Sequence, residues 1–136
     1  MKYIYSKKHP EDLLHIINRV GDIDGRSDIT PPEKFLQVAT FNINTDVKVK
    51  AHQHKWKKPP ETQVIAQESW VVIKGSIKVF LYDTDGSLLV EEIISDGDCT
   101  ITFDGGHKFD VLEENTIMYE FKTGPYLGRE MDKFYY

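Results

Sequence analysis

Gln67-Glu68-Ser69-Trp70-Val71-Val72-Ile73-Lys74-Gly75-Ser76-Ile77-Lys78-Val79-Phe80-Leu81-Tyr82-Asp83-Thr84-Asp85-Gly86 decides how this chain reads. Two runs rich in β-branched and aromatic residues, 63–74 and 76–82, are parted by a single glycine and closed by an Asp/Gly turn. Such punctuation marks strands and turns rather than helices. Toward the C-terminus the pattern repeats at 88–94, 99–103, 108–112 and 116–122, with Ser95-Asp96-Gly97-Asp98, Asp104-Gly105-Gly106 and Glu113-Glu114-Asn115 between the runs. Toward the N-terminus, 35–44 alternates loosely and is also rich in strand formers. Short strands at this spacing predict an all-β domain, a small barrel or sandwich. The strand-rich region runs over 35–122 and is followed by an aromatic-rich tail, 123–136, that is expected to pack on the barrel or cover its mouth.

The first 34 residues read as an N-terminal extension. Residues 2–5 look extended. His9-Pro10-Glu11-Asp12 then places proline and two acids where a helix begins, and Leu13, Ile16, Ile17 and Val20 follow at helical spacing. These features predict a helix over about 10–20, stopped by Gly21. The polar stretch 21–34, with Pro31-Pro32, reads as a loop. Further on, Val47, Val49 and Ala51 have the opposite parity to His52 and His54. One regular strand with the histidines facing inward would bury Lys48 and Lys50, so a bulge or turn near Lys50 or Ala51 is expected.

Composition narrows the classes. A chain of 136 residues suits a single domain that can bury a core without disulfides. One cysteine, Cys99, cannot bridge internally, which points to a reducing cytoplasmic setting, and it reads as a small buried hydrophobe rather than a nucleophile. The chain shows no signal-peptide pattern and no apolar run near the ~20 residues of a membrane span. With 17 basic and 22 acidic residues the net charge is −5, a poor basis for nucleic-acid binding. Gly-x-Ser-x-Gly is absent, and Gly105-Gly106 lacks the lysine of a phosphate loop.

Chemistry concentrates in a divided set of ligand-type residues: His52 and His54, Glu68, and His107. In a strand, residues i and i+2 share a face, so His52 and His54 can reach one ion together. Glu68 shares its expected face with Trp70 and Val72, where a carboxylate needs a partner. A metal would supply one, and so would a buried salt bridge with Arg or Lys. Glu61, closer to His54, is the rival carboxylate, but it lies in the loop sequence Pro59-Pro60-Glu61-Thr62. Three imidazoles and one carboxylate suit one divalent Fe, Mn, Ni, Co or Zn ion, with room for water or a small-molecule ligand. His9 and His15, at the expected helix, are assigned structural roles. Most strand aromatics (Trp70, Phe80, Tyr82, Phe103, Phe109, Tyr119, Phe121) are expected in the core, with Trp70, Phe109 and Tyr119 as candidate pocket walls.

The order of these residues resembles the cupin superfamily. His52-x-His54 and Glu68, followed by six residues and Gly75, are similar to the first cupin motif, although 13 residues part His54 from Glu68. Gly97, Phe103, Gly105 and His107 are similar to the second, with Phe103 in place of its Pro and Val111 in place of its Asn. Phe35-Leu36-Gln37, His52-Gln53-His54-Lys55, Tyr82-Asp83, Gly97-Asp98 and Gly124-Pro125-Tyr126 look like segments of small bacterial cupins encoded with surface-polysaccharide and nonulosonic-sugar genes. The resemblance implies a double-stranded β-helix (jelly roll), a homodimer, and a metal held by His52, His54, Glu68 and His107. It also implies action on a sugar or sugar acid through Lewis-acid or metal-bound-water chemistry. A non-catalytic binding module and an Fe(II) dioxygenase are the alternatives it leaves.

Overall fold

The computed structural model describes residues 1–42 and 65–124. Ten strands are found there: β1 (Lys2–Tyr5), β2 (Leu13–Asn18), β3 (Gly25–Asp28), β4 (Ala39–Asn42), β5 (Glu68–Lys74), β6 (Ser76–Tyr82), β7 (Leu88–Ser95), β8 (Cys99–Thr102), β9 (His107–Val111) and β10 (Ile117–Lys122). One short 3-10 turn, Val20–Asp22, is the sole helical element among the described residues. No helix among them is long and apolar enough to cross a membrane. Every strand pair is antiparallel. A five-stranded sheet runs β1-β2-β8-β5-β10, a three-stranded sheet runs β7-β6-β9, and β3-β4 form a separate ribbon. The all-β class is as expected, but among the described residues the sheets do not close into one barrel.

The two main sheets pack face to face. Ile4, Ile17, Trp70 and Val72 from the larger sheet meet Ile77, Val79, Leu81 and Ile94 from the smaller one. A second apolar layer lies on the far side of the larger sheet, where Leu13, Ile16, Cys99, Ile101 and Phe103 are covered by Ile29, Leu36 and Val38. Strands β2 and β8 therefore have both faces covered, and every residue in them is buried.

This double cover overturns the helix expected at 10–20. Leu13-Leu14-His15-Ile16-Ile17-Asn18 is a run without strict alternation, as a strand covered on both faces requires. Its β-branched isoleucines favour that choice. Pro10 and the acids, which resemble a helix start, instead form a turn in which the Asp12 N–H donates to the His9 carbonyl at 2.8 Å. The loop expected over 21–34 also contains a strand. Gly25-Arg26-Ser27-Asp28 has little strand propensity, yet it pairs in register with residues 39–42. The break expected near Lys50 or Ala51, the first part of the strand expected from 63, and most of the tail lie outside the described residues.

The aromatics divide unevenly. Trp70 and Phe103 are buried, Phe80 and Tyr82 half-buried, and Phe109, Tyr119 and Phe121 exposed. Tyr119 and Phe121 sit on an edge strand, opposite Val71 and Ser69, on the outer face of the larger sheet.

Asp83 ties the N-terminal segment to the β6–β7 turn. Its carboxylate accepts hydrogen bonds from Ser6 Oγ at 2.8 Å, the Lys7 N–H at 2.8 Å and the Thr84 N–H at 2.7 Å. Desolvation raises its pKa, but these bonds outweigh desolvation and lower it from 3.8 to about 2. Because the folded value is depressed, the stabilisation is complete above the unfolded pKa and lost as pH falls through the folded one. Asp83→Asn is therefore expected to lower the thermal midpoint at neutral pH. The gap from wild type should close between about pH 4 and about pH 2, measured by circular dichroism melts across that range.

Cys99 is 7% exposed, and burial pushes its thiol pKa up to about 11. A thiol held protonated in this way is a poor nucleophile. It is expected to resist disulfide-exchange reagents in the native protein and to react fully once denatured, as followed by a colorimetric thiol assay.

Candidate functional site

A row of polar residues crosses the inner face of the larger sheet. His15 on β2 stands opposite Thr102 on β8, Thr102 opposite Glu68 on β5, and Glu68 opposite Lys122 on β10. The strand period places Glu68, Trp70 and Val72 on this same inner face. Glu68, Thr102 and His15 are all buried, at 6%, 4% and 0% exposure.

His107 comes from the other sheet. It opens β9, opposite Leu81 on β6, and its ring reaches back across the sandwich. Its Nε2 lies 3.4 Å from Glu68 Oε1, and its Nδ1 lies 3.0 Å from Thr102 Oγ1. The Trp70 ring packs on it with centroids 4.4 Å apart, and Phe109 meets Trp70 edge-on at 4.9 Å. The Trp70 indole N–H donates to Glu120 Oε2 at 3.3 Å. Tyr119 has the opposite parity. It is 60% exposed and lies beside Phe121, away from this cluster.

The turn before β9 sets the height of His107. Gly105 has φ +79, and a Cβ there would fall 2.3 Å from the Tyr82 carbonyl oxygen. The Tyr82 N–H donates to the Gly106 carbonyl at 2.8 Å, closing the turn onto the end of β6. That same Tyr82 carbonyl accepts a hydrogen bond from His15 Nε2 at 3.0 Å.

Of the four residues expected to hold a metal, Glu68 and His107 are thus brought together from opposite sheets. His52 and His54, like the rival Glu61, lie outside the described residues. Among the described residues no three His, Cys, Asp or Glu side chains gather as a metal-holding group. A carboxylate and an imidazole at this spacing can exchange a proton or donate together to one cation. Two donors each about 2.0–2.2 Å from a shared ion lie about 2.8–3.6 Å apart at octahedral to tetrahedral angles. The observed 3.4 Å fits that relation.

Thr102 and His15 were not legible as site residues. The helix expected over 10–20 gives His15 no strand partner, and Thr102 carries no motif. The available signal was parity: Thr100 and Thr102 alternate with the apolar Cys99, Ile101 and Phe103. Comparison with protein-family models, curated proteins and solved structures returns no match.

Proposed function

We propose that the chain is a metal-binding protein of the cupin type. Its jelly-roll sandwich would hold one divalent ion through His52, His54, Glu68 and His107 and act on a small polar metabolite such as a sugar or sugar acid. The observation that carries this reading is the meeting of Glu68 and His107 at 3.4 Å from two different sheets. Antiparallel pairing throughout and the face-to-face core support the jelly-roll topology. The sugar or sugar-acid class rests on the sequence resemblance.

A bound ion would supply Lewis acidity toward a carbonyl or hydroxyl, or activate a water. Glu68 offers a carboxylate from the sheet that also supplies Thr102 and His15. Trp70, itself packed edge-on by Phe109, gives His107 an apolar flank, which keeps water from one side of the ring. A low local dielectric strengthens every charge interaction there.

The test is metal content. Protein produced in metal-controlled medium is expected to bind one equivalent of a divalent ion, read by mass spectrometry of the native protein. Thermal-shift screening of sugars and sugar acids against the loaded form then tests the ligand class. A wild-type protein that takes up none of Fe, Mn, Ni, Co or Zn overturns the reading. The second reading, an ion pair that holds the sheets together, has the same 3.4 Å contact in its favour and predicts that null result.

A further inference from the structure

The donors and acceptors around Thr102 fix the direction of its hydrogen bonds. The Tyr82 carbonyl only accepts, so His15 Nε2, 3.0 Å away, carries a hydrogen and donates it. His15 is fully buried. Burial lowers its pKa, outweighing the opposite pull of the Tyr82 carbonyl, Asp104 and Asp83, so the ring is neutral at neutral pH. A neutral imidazole with hydrogen on Nε2 has its lone pair on Nδ1. Thr102 Oγ1 lies 3.1 Å from that nitrogen and must donate its single hydrogen to it. Having spent its hydrogen, the hydroxyl can only accept from His107 Nδ1 at 3.0 Å.

We infer that Tyr82, His15 and Thr102 form a one-way hydrogen-bond relay that holds a hydrogen on His107 Nδ1, so that Nε2, 3.4 Å from Glu68, is the nitrogen a cation would take. His15 and Thr102 are positioning residues: they act on the site through His107. The relay rests on hydrogen-bond distances together with the burial that keeps His15 neutral. Its purpose, presenting a lone pair to a cation, rests on the metal-binding reading above. Outer partners of this kind set which nitrogen of a ligating histidine is available and hold its ring in place.

The relay also explains why a buried histidine sits beside a turn glycine. Gly105 lets the turn approach Tyr82 so closely that a Cβ would also lie 3.3 Å from His15 Nε2. The start of the relay and the backbone that carries His107 are therefore packed as one unit.

The experiment is nitrogen-15 NMR of the imidazoles in metal-free protein at pH 8, with zinc titration alongside. His107 is expected to show a protonated Nδ1, and His15 a protonated Nε2 with an unprotonated Nδ1. Thr102→Val keeps the side-chain shape but removes both hydrogen bonds. It should release His107 toward the other tautomer and weaken zinc binding by about 10–100-fold, the usual cost of losing an outer partner. Thr102→Ser should restore both readouts, which a loss of packing alone would not allow. Wild-type His107 with no hydrogen on Nδ1 overturns the relay, and this outcome needs no variant to fold. An unchanged tautomer in folded Thr102→Val does the same. The predicted tautomers without zinc binding overturn the metal reading and leave the relay standing.

Discussion

His107→Ala is expected to lower zinc affinity by more than about 100-fold, beyond the range for losing an outer partner of a ligand. The residue opens β9 and is the one candidate ligand described from the smaller sheet. Its removal also leaves Thr102 and Glu68 without the ring that bridges them. The alanine variant should keep its fold, since the apolar layer of Ile77, Val79, Leu81 and Ile94 does not include it. Affinity is read by competition with a chromophoric chelator, and folding by near-ultraviolet circular dichroism. Normal zinc binding by the folded variant would sink the ligand assignment.

Glu68→Gln separates the metal site from a structural ion pair. A buried carboxylate retained for binding a cation is costly to the empty protein, so its neutral isostere should leave metal-free stability unchanged or raise it while weakening zinc. If Glu68 serves only as the partner of a protonated His107, removing its charge strands the other charge. Breaking a buried pair in that way costs about 3–5 kcal/mol, with no dependence on metal. Urea denaturation of wild type and variant, with and without zinc, distinguishes the two outcomes.

The parts of the fold that could be read from sequence are those where turn residues mark both ends. Strand β6 is bounded by Gly75 and Asp83, and its expected and observed limits coincide at Ser76–Tyr82. Strand β2 is not legible in the same way, because a proline, two acids and an apolar run serve a tight turn and a doubly covered strand as well as they serve a helix. Only the presence of neighbours on both sides, β1 and β8, decides it. Within the site, strand parity sufficed to put Glu68 beside Trp70. Tyr119 needed the register of β10 against β5, which sets it opposite Val71 rather than Trp70. Register depends on partners distant in sequence, so a local pattern does not contain it. The relay was illegible for the same reason: His15 and Thr102 are 87 residues apart and meet only through strand pairing.

Gly105→Ala is expected to be among the most damaging single-methyl additions in the described structure, because strain and collision fall at one place. Its φ of +79 is a conformation that L residues adopt at a cost, and the added Cβ would sit 2.3 Å from the Tyr82 oxygen. Backbone strain of about 1–3 kcal/mol and overpacking of about 1–3 kcal/mol combine to roughly 2–6 kcal/mol. Gly25→Ala is the control for strain alone. It has φ +61, but nothing lies within 4 Å of an added Cβ. It should cost only about 1–2 kcal/mol. Denaturant titrations of both variants measure the difference, which isolates the collision. Since the obstructing atom is the carbonyl that His15 donates to, relief of the clash must move Tyr82 or lift the turn that carries His107. Gly105→Ala should therefore weaken zinc binding as well as stability, whereas Gly25→Ala should change stability only. Equal losses of stability in the two variants, with zinc affinity unchanged in both, would show that the turn does not hold His107 in place.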